Sequence, residues 1–268
     1  MSDSAPVITL SVDIGSTRTR VAAVDVNKLQ CVDRIDSDNN NFDCAFVANI
    51  EKIAGAYPQI RRVNITSCVR NIAAKAKDIC IDLSVNSGEK RFDTVELICS
   101  HTKLPVVFKY DDPNTLGADR VCNALACAAL FKGKSCIIID AGTAITVDCL
   151  PDGKVFEGGA ILPGCAMQFW ALHAKTDALP LFDIETDIDT PGHTLPSVST
   201  AECIASGVLY GTAGAVDRCV DECLRICNGN NNVSIIATGG GWGLIEPLVK
   251  HEITVIPNLT LTGAGIYR

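Results

Sequence analysis

The sequence predicts an α/β protein of two related domains, residues 1–133 and 134–268, with a ligand-binding cleft between them. Three observations lead there. The first is a repeated motif: Asp13-Ile14-Gly15-Ser16-Thr17-Arg18-Thr19 and Asp140-Ala141-Gly142-Thr143-Ala144-Ile145-Thr146 both fit Asp-x-Gly-(Ser/Thr)-x-x-Thr. The second is its setting. Each copy ends an apolar run, residues 7–12 and 136–139, and each is followed by another, the pattern of a strand, a tight turn and a returning strand. The third is length, because 268 residues are many for one core and comfortable for two domains of ordinary size.

The chemistry sits in the turns. A glycine permits positive φ and close approach of backbone to a ligand, and a hydroxyl follows it at once. Backbone N–H groups and the hydroxyl can face a phosphate while the carboxylate holds a cation beside it. One such stretch alone is an ordinary turn. Two copies at corresponding points of similar halves, at 13 and 140, read better as the two sides of a phosphate clamp.

Beyond its hairpin, the first half opens with a polar stretch, residues 33–43 with Asn39, Asn40 and Asn41, which predicts a loop. Phe46, Val47, Ile50, Ile53 and Ala54 suit an amphipathic helix over 42–57, stopped by Pro58. Residues 63–69 predict a strand, 72–79 and 83–92 a short helix and a turn at Gly88, and 105–110 a strand. Residues 116–131 start a helix that becomes almost wholly apolar and ends at Gly133. Asp119 and Arg120 are the last charges before that buried run, near the mouth of whatever cleft the helix lines. Two readings stay open for them: a helix-start acid with a surface partner, or a base for an attacking hydroxyl beside an arginine that holds a substrate anion.

The second half repeats strand, turn and strand over 135–150, with a third strand near 154–157. The glycines of 158–164 suggest either closely packed backbone or a pair of ordinary turns. Residues 166–173 predict a helix, 179–199 a long ordered loop, and 200–227 a helix interrupted by Gly207, Gly211 and Gly214, followed by a linker at 228–232. A buried strand at 233–237 ends in Thr238-Gly239-Gly240-Gly241, where a flat group such as adenosine could approach the backbone. Residues 253–256 and 259–261 would supply closing strands.

A net charge of −8 and a pI near 5.0 argue against a nucleic-acid surface, which needs a basic stripe. Residues 1–12 lack the pattern of a signal peptide, and no apolar run approaches the roughly 18 residues that span a bilayer. The expected compartment is the cytoplasm, with neither nucleic acid nor membrane as partner. Fourteen cysteines without a Cys-x-x-Cys read as reduced, buried thiols. Cys219, Cys223 and Cys227 recur at helical spacing, as a buried stripe more readily than as soft-metal ligands. The four histidines form no cluster and receive no role.

Two such hairpins and a strand followed by Thr-Gly-Gly resemble the actin, sugar kinase and Hsp70 ATPase superfamily. The implied fold is a pair of ribonuclease H-like (actin-like ATPase) domains with a nucleotide cleft between them. Within it, Leu116-Gly117-Ala118-Asp119-Arg120, Asp140-Ala141-Gly142-Thr143-Ala144, residues 158–164, Leu179-Pro180, Thr200 with Ser206-Gly207, and Thr238-Gly239-Gly240 resemble type III pantothenate kinase in order and spacing. The likeness runs nearly the length of the chain. Gly-Ala-Asp-Arg followed by Asp-x-Gly-Thr-Ala marks that family rather than the superfamily.

The resemblance implies transfer of the γ-phosphoryl group of ATP to the primary hydroxyl of pantothenate, the first step towards coenzyme A. It makes Asp119 the base and sets Tyr110, Gly117, Ala118, Arg120 and Thr200 against pantothenate. Asp13, Ile14, Gly15, Ser16, Thr17, Arg18, Thr19 and Arg20 would wrap the ATP phosphates, Asp13 acting through Mg²⁺. Asp140 would hold an activating monovalent cation, K⁺ or NH₄⁺, and Thr143 would touch ATP. A homodimer is implied as well. Ser16 departs from the family's usual Asn, and Val121 from a frequent Trp. A kinase of the same fold acting on another small hydroxyl or carboxylate acceptor, and a non-enzymatic accessory or regulatory homologue, are the alternatives.

Overall fold

The computed structural model describes residues 6–40, 42–85, 91–98, 104–182, 195–227 and 232–267. Strand β1 (Ile8–Ile14) and strand β2 (Arg18–Asp25) form the expected antiparallel hairpin, with Asp13 opposite Arg20. Alternation decides what each face of β1 meets. Ile8, Leu10, Val12 and Ile14 enter one core with Phe42, Phe46, Ile50 and Ile53 of helix α1 (Phe42–Ala56). Thr9, Ser11 and Asp13, the intervening residues, are buried as well, so the polar side of β1 is covered too.

The stretch read as a loop is instead strand β3 (Gln30–Asp38), paired antiparallel with β2. Its charges follow from its place at the edge of the sheet, where both faces reach water and acidic or basic side chains discourage pairing with another chain. Strands β4 (Arg62–Ser67) and β5 (Thr94–Leu97) extend the other side in parallel, giving the order β3-β2-β1-β4-β5. Between them runs one helix, α2 (Arg70–Val85), longer than the short helix expected; the turn expected at Gly88 lies outside the described residues.

Helix α3 (Ala118–Leu130) lies where the apolar run predicts it. The strand expected over 105–110 shortens to β6 (Val107–Phe108), which pairs in parallel with β9 (Val155–Phe156). The strand expected at 259–261 is helix α7 (Leu259–Ile266), because a short apolar run does not by itself distinguish a strand from a buried helix. Its glycines are the reason it fits: a Cβ on Gly263 would overlap the backbone of Cys122 in α3, and one on Gly265 would press on Val24 of β2. Asn64 Nδ2 on β4 donates to the carbonyls of Ala264 at 2.7 Å and Tyr267 at 2.9 Å, fixing the helix end.

The chain thus divides into two units, Met1–Gly133 with Gly153–Phe156 and Asn258–Arg268, and Lys134–Asp152 with Glu157–Pro257. The division differs from a single cut at 133/134 because β9 pairs with β6, and α7 packs on α3 and β1.

In the second unit, β7 (Ser135–Ala141) and β8 (Ala144–Leu150) make the second hairpin, flanked by β10 (Gly159–Pro163), β11 (Val233–Thr238) and β12 (Thr254–Val255) in the order β10-β8-β7-β11-β12. Three antiparallel strands followed by two parallel ones is the order of the first sheet again. The repeat seen in the two motifs is a repeat of topology. Ile137, Ile139 and Ala141 pack with helices α4 (Cys165–Ala174) and α5 (Thr200–Ile226). Helix α5 continues without interruption through Gly207, Gly211 and Gly214, all exposed, while Ile204, Val208, Leu209, Ala213, Val216 and Val220 are buried. Burial of that stripe outweighs the roughly 1 kcal/mol that each glycine costs a helix. Most of the loop expected over 179–199, and the linker after 227, lie outside the described residues. The cysteines among the described residues are all free. No helix among those residues is long and apolar enough to cross a membrane.

Candidate active site

The first hairpin turns at Ser16 and Thr17, closed by a hydrogen bond from Gly15 N–H to the Arg18 carbonyl at 3.0 Å. Ser16, Thr17 and Arg18 are exposed, Ile14 and Thr19 are buried, and Gly15 and Arg20 are half-buried. Asp13 Oδ2 accepts from Arg20 Nη1 at 2.9 Å, so the strand pairing places a cation across the mouth of the turn. Ser16 Oγ stands 3.5 Å from Cys68 Sγ, and Cys68 N–H donates to the Ile14 carbonyl at 3.1 Å.

Helix α3 presents Asp119 and Arg120 in its first turn. Asp119 Oδ1 accepts the Arg120 N–H at 2.8 Å and folds back over Gly117, where any Cβ would push the carboxylate out of place. This is the physical demand for glycine in Gly-Ala-Asp-Arg. Ala118 is buried under it. The Arg120 side chain is also buried, with its guanidinium 5.7 Å from the Tyr110 ring centre and 5.3 Å from that of Phe156. Arg120 Nη1 donates to Tyr110 Oη at 3.2 Å. The surface-partner reading of Arg120 is therefore overturned: aromatic faces desolvate it and fix its direction.

Asp13 and Asp119 both act electrostatically on the thiols of Cys68 and Cys122. Partial desolvation pushes the Cys68 thiol above its ordinary value, the Ser16 hydroxyl opposes this, and the carboxylates of Asp119 and Asp13 add to it. Burial holds the Cys122 thiol well up, and the same two carboxylates contribute. Two acids that act on the same two thiols lie on the same side of the sheet. The alternation of β1 explains it, because the odd-numbered residues that include Asp13 face away from the α1 core.

In the second unit the turn is Gly142-Thr143, with Gly142 N–H on the Ala144 carbonyl at 3.0 Å. Backbone encloses it closely. A Cβ on Gly164 would overlap the carbonyls of Gly142 and Thr143, and Gly164 N–H donates to the Thr143 carbonyl at 3.0 Å. Gly239, at φ +93°, would strike Ala141 in the same way, and Gly241 N–H bonds the Ala141 carbonyl at 2.8 Å. Gly159, Gly164, Gly239 and Gly241 therefore serve close backbone packing, whereas a Cβ on Gly158 or Gly240 would meet nothing; Gly159 opens a strand and Gly164 caps a helix, so the stretch is not a pair of turns. Asp140 is half-buried and Thr143 exposed; across the hairpin from Asp140 lies Thr146, whose Oγ1 is shielded from solvent with no hydrogen-bond partner. Thr200 opens α5 beside Ser199, the helix cap, and is exposed.

Three residues at these sites were not singled out in the sequence. Cys68 and Asn39 brace the first turn, and Phe156 covers Arg120. The sequence offers no motif for any of them, since each arrives from a different strand or its end. Among the described residues no three or more His, Cys, Asp or Glu side chains gather as a metal-binding group, which includes the Cys219 stripe.

The family model described as type III pantothenate kinase matches residues 9–222. A type III pantothenate kinase of Finegoldia magna is 30% identical over 263 residues, covering 97% of this chain and 96% of the relative. One from Cytophaga hutchinsonii is 36% identical over 169 residues, 63% of this chain and 68% of the relative, and one from Endomicrobium trichonymphae is 35% identical over 179 residues, 67% and 64%. The last alignment leaves more than a third of that relative uncovered. Among solved structures, a Campylobacter jejuni protein named for the Baf family of transcriptional activators aligns with TM-score 0.55 at 16% identity, covering 95% of this chain and 94% of the other. The activator of 2-hydroxyisocaproyl-CoA dehydratase from Clostridium difficile, solved with bound ADPNP, aligns with TM-score 0.51 at 17% identity over 97% and 94%. These likenesses show the fold alone, a mixed α/β fold shared with both proteins.

Proposed function

Because the chain belongs to the type III pantothenate kinase family, we propose that it transfers the γ-phosphoryl group of ATP to the primary hydroxyl of pantothenate, giving 4′-phosphopantothenate and ADP. The observation that carries this reading is the placement of Asp119, on a helix N-terminus beside a buried arginine and in the neighbourhood of Asp13. The hydroxyl oxygen bonds to the γ-phosphorus as the bond to the bridging oxygen breaks, its electron pair staying on ADP, and the hydroxyl proton passes to the Asp119 carboxylate. Such a transfer asks a protein mainly for positioning and charge neutralisation. Tyr110, Gly117, Ala118, Arg120 and Thr200 are the proposed pantothenate contacts. Asp13 to Arg20, together with Thr143, are the proposed ATP contacts, with Ser16 supported by Cys68 in the place of the longer amide side chain.

Two ion sites belong to this reading. Asp13, near the end of β1 before the proposed phosphate-facing turn, supplies the hard oxygen that suits Mg²⁺, which when bound would neutralise charge on the transferring group. Asp140 and the unpartnered Thr146 Oγ1 offer oxygens alone, a donor set for K⁺ or NH₄⁺. The direct test incubates purified protein with ATP, Mg²⁺ and a panel of acceptors that includes sugars and acetate. Phosphorylated pantothenate is expected, and its absence with K⁺ present would overturn the kinase reading. Replacing K⁺ by Na⁺ should lower the rate by up to about 10²-fold, the scale of a lost electrostatic contact at a reacting group, and Asp140→Ala should abolish the difference.

The same reading includes a homodimer working in the cytoplasm, where its nucleotide substrate is abundant. Helix α4 leaves Met167 and Trp170, one turn apart, 40% and 57% exposed, an arrangement that a second copy would cover. Trp170→Glu should shift the protein to monomer in sedimentation velocity; a wild-type monomer, or an unchanged dimer in the variant, would remove this face from consideration.

A further inference from the structure

We propose that Asn39, the residue just after β3, is a positioning residue for the ATP phosphates, acting through the first hairpin turn; this rests on the proposed kinase reading. Asn39 reaches the turn at three points. Its Nδ2 donates to the Gly15 carbonyl at 2.9 Å, its Oδ1 accepts from Thr19 Oγ1 at 2.7 Å, and its own N–H donates to the Thr17 carbonyl at 3.2 Å. The first bond has a geometric consequence. A peptide unit is planar, with C=O and N–H pointing oppositely, so a Gly15 carbonyl held toward Asn39 turns the Ser16 N–H to the other side of the hairpin. That N–H lies at the tip of the loop proposed to cradle phosphate, where an oriented backbone donor is what an anion needs.

The second bond explains Thr19. Its hydroxyl is buried and donates to Asn39, so the side chain of Thr19 holds the brace in place and its backbone alone is left for the proposed ATP contact. The motif's final threonine thus has a different duty from its first hydroxyl, Ser16, which is exposed at the turn. The brace also spans elements, because β3 is the edge strand whose own sequence reads as a polar loop. Asn40 N–H bonds Asp38 Oδ1 at 2.8 Å, closing the chain just beyond β3 and keeping Asn39 turned inward.

The side-chain contributions separate by substitution. Asn39→Ala removes both side-chain bonds. Asn39→Asp keeps an acceptor for Thr19, loses the donor to Gly15 and sets a carboxylate against a carbonyl. Both should raise KM for ATP roughly tenfold, the scale of one or two lost hydrogen bonds, with KM for pantothenate within about twofold of wild type. Asn39→Asp should be no better than Asn39→Ala. A residue that only supports the fold would raise both KM values together, and that result, or an unchanged KM for ATP, overturns the proposal. Hydrogen exchange on the wild-type protein gives a reading that needs no variant. The Ser16 amide should slow when AMP-PNP is added; failure to slow overturns the positioning role even if pantothenate is phosphorylated. Protection of Ser16 in a protein that makes no phosphopantothenate would instead retain nucleotide positioning and reject the acceptor.

Discussion

Asp119→Asn should lower kcat by about 10²-fold or more, the scale of a general base's contribution, while KM for ATP stays within about twofold. The substitution is nearly isosteric. The introduced amide would still offer its Oδ1 to the Arg120 N–H, so the first turn of α3 and the pocket over Gly117 are preserved. What is lost is an oxygen able to take a proton. A rate within about threefold of wild type would remove Asp119 from the role of base. Cys68 gives an independent check on the geometry. With the Asp119 charge gone, one of the influences holding its thiol up disappears, so alkylation of Cys68 should begin at lower pH in the variant. Unchanged alkylation with lost activity would mean that Asp119 lies farther from the turn than the electrostatics require.

The two hairpins and helix α3 were legible because their signals are local. An apolar strand, an acid and a glycine turn are adjacent in the chain, and a long apolar helix announces its own length. The doubled sheet order could not be read, because β3 and β10 carry edge-strand patterns. β3 is charged on alternate residues and β10 begins with glycine and ends with proline, so both looked like connections. Helix α7 was misread for another reason. Its eight residues hold two glycines and no charge, and only the overlap a Cβ at Gly263 would make with Cys122 shows why a helix with poor propensity is placed there. Asp119, Arg120 and the motif residues were legible as types at a spacing. Asn39, Cys68 and Phe156 were not, since their importance lies in reaching residues brought alongside by the sheet.

Arg120→Lys separates shape from charge at the proposed substrate site, and KM for pantothenate should rise by about 10- to 100-fold with a smaller change in kcat, the range for one or more charge-assisted hydrogen bonds. The guanidinium lies near two aromatic rings and donates to Tyr110 Oη, which aims its remaining donors in a fixed plane. A lysine keeps the charge but offers neither the plane nor the fork that matches a carboxylate. Pantothenate carries such a carboxylate at neutral pH, so the loss should fall on its binding. Tyr110→Phe should have a much milder effect, since it removes one hydrogen bond and leaves the stacked face. Arg120→Ala is the less informative change, because truncating a buried side chain opens a void beside Phe156 and lowers stability along with affinity. If Arg120→Lys binds pantothenate as wild type does, the arginine supplies charge alone, and the aromatic enclosure that Tyr110 and Phe156 give it serves the fold.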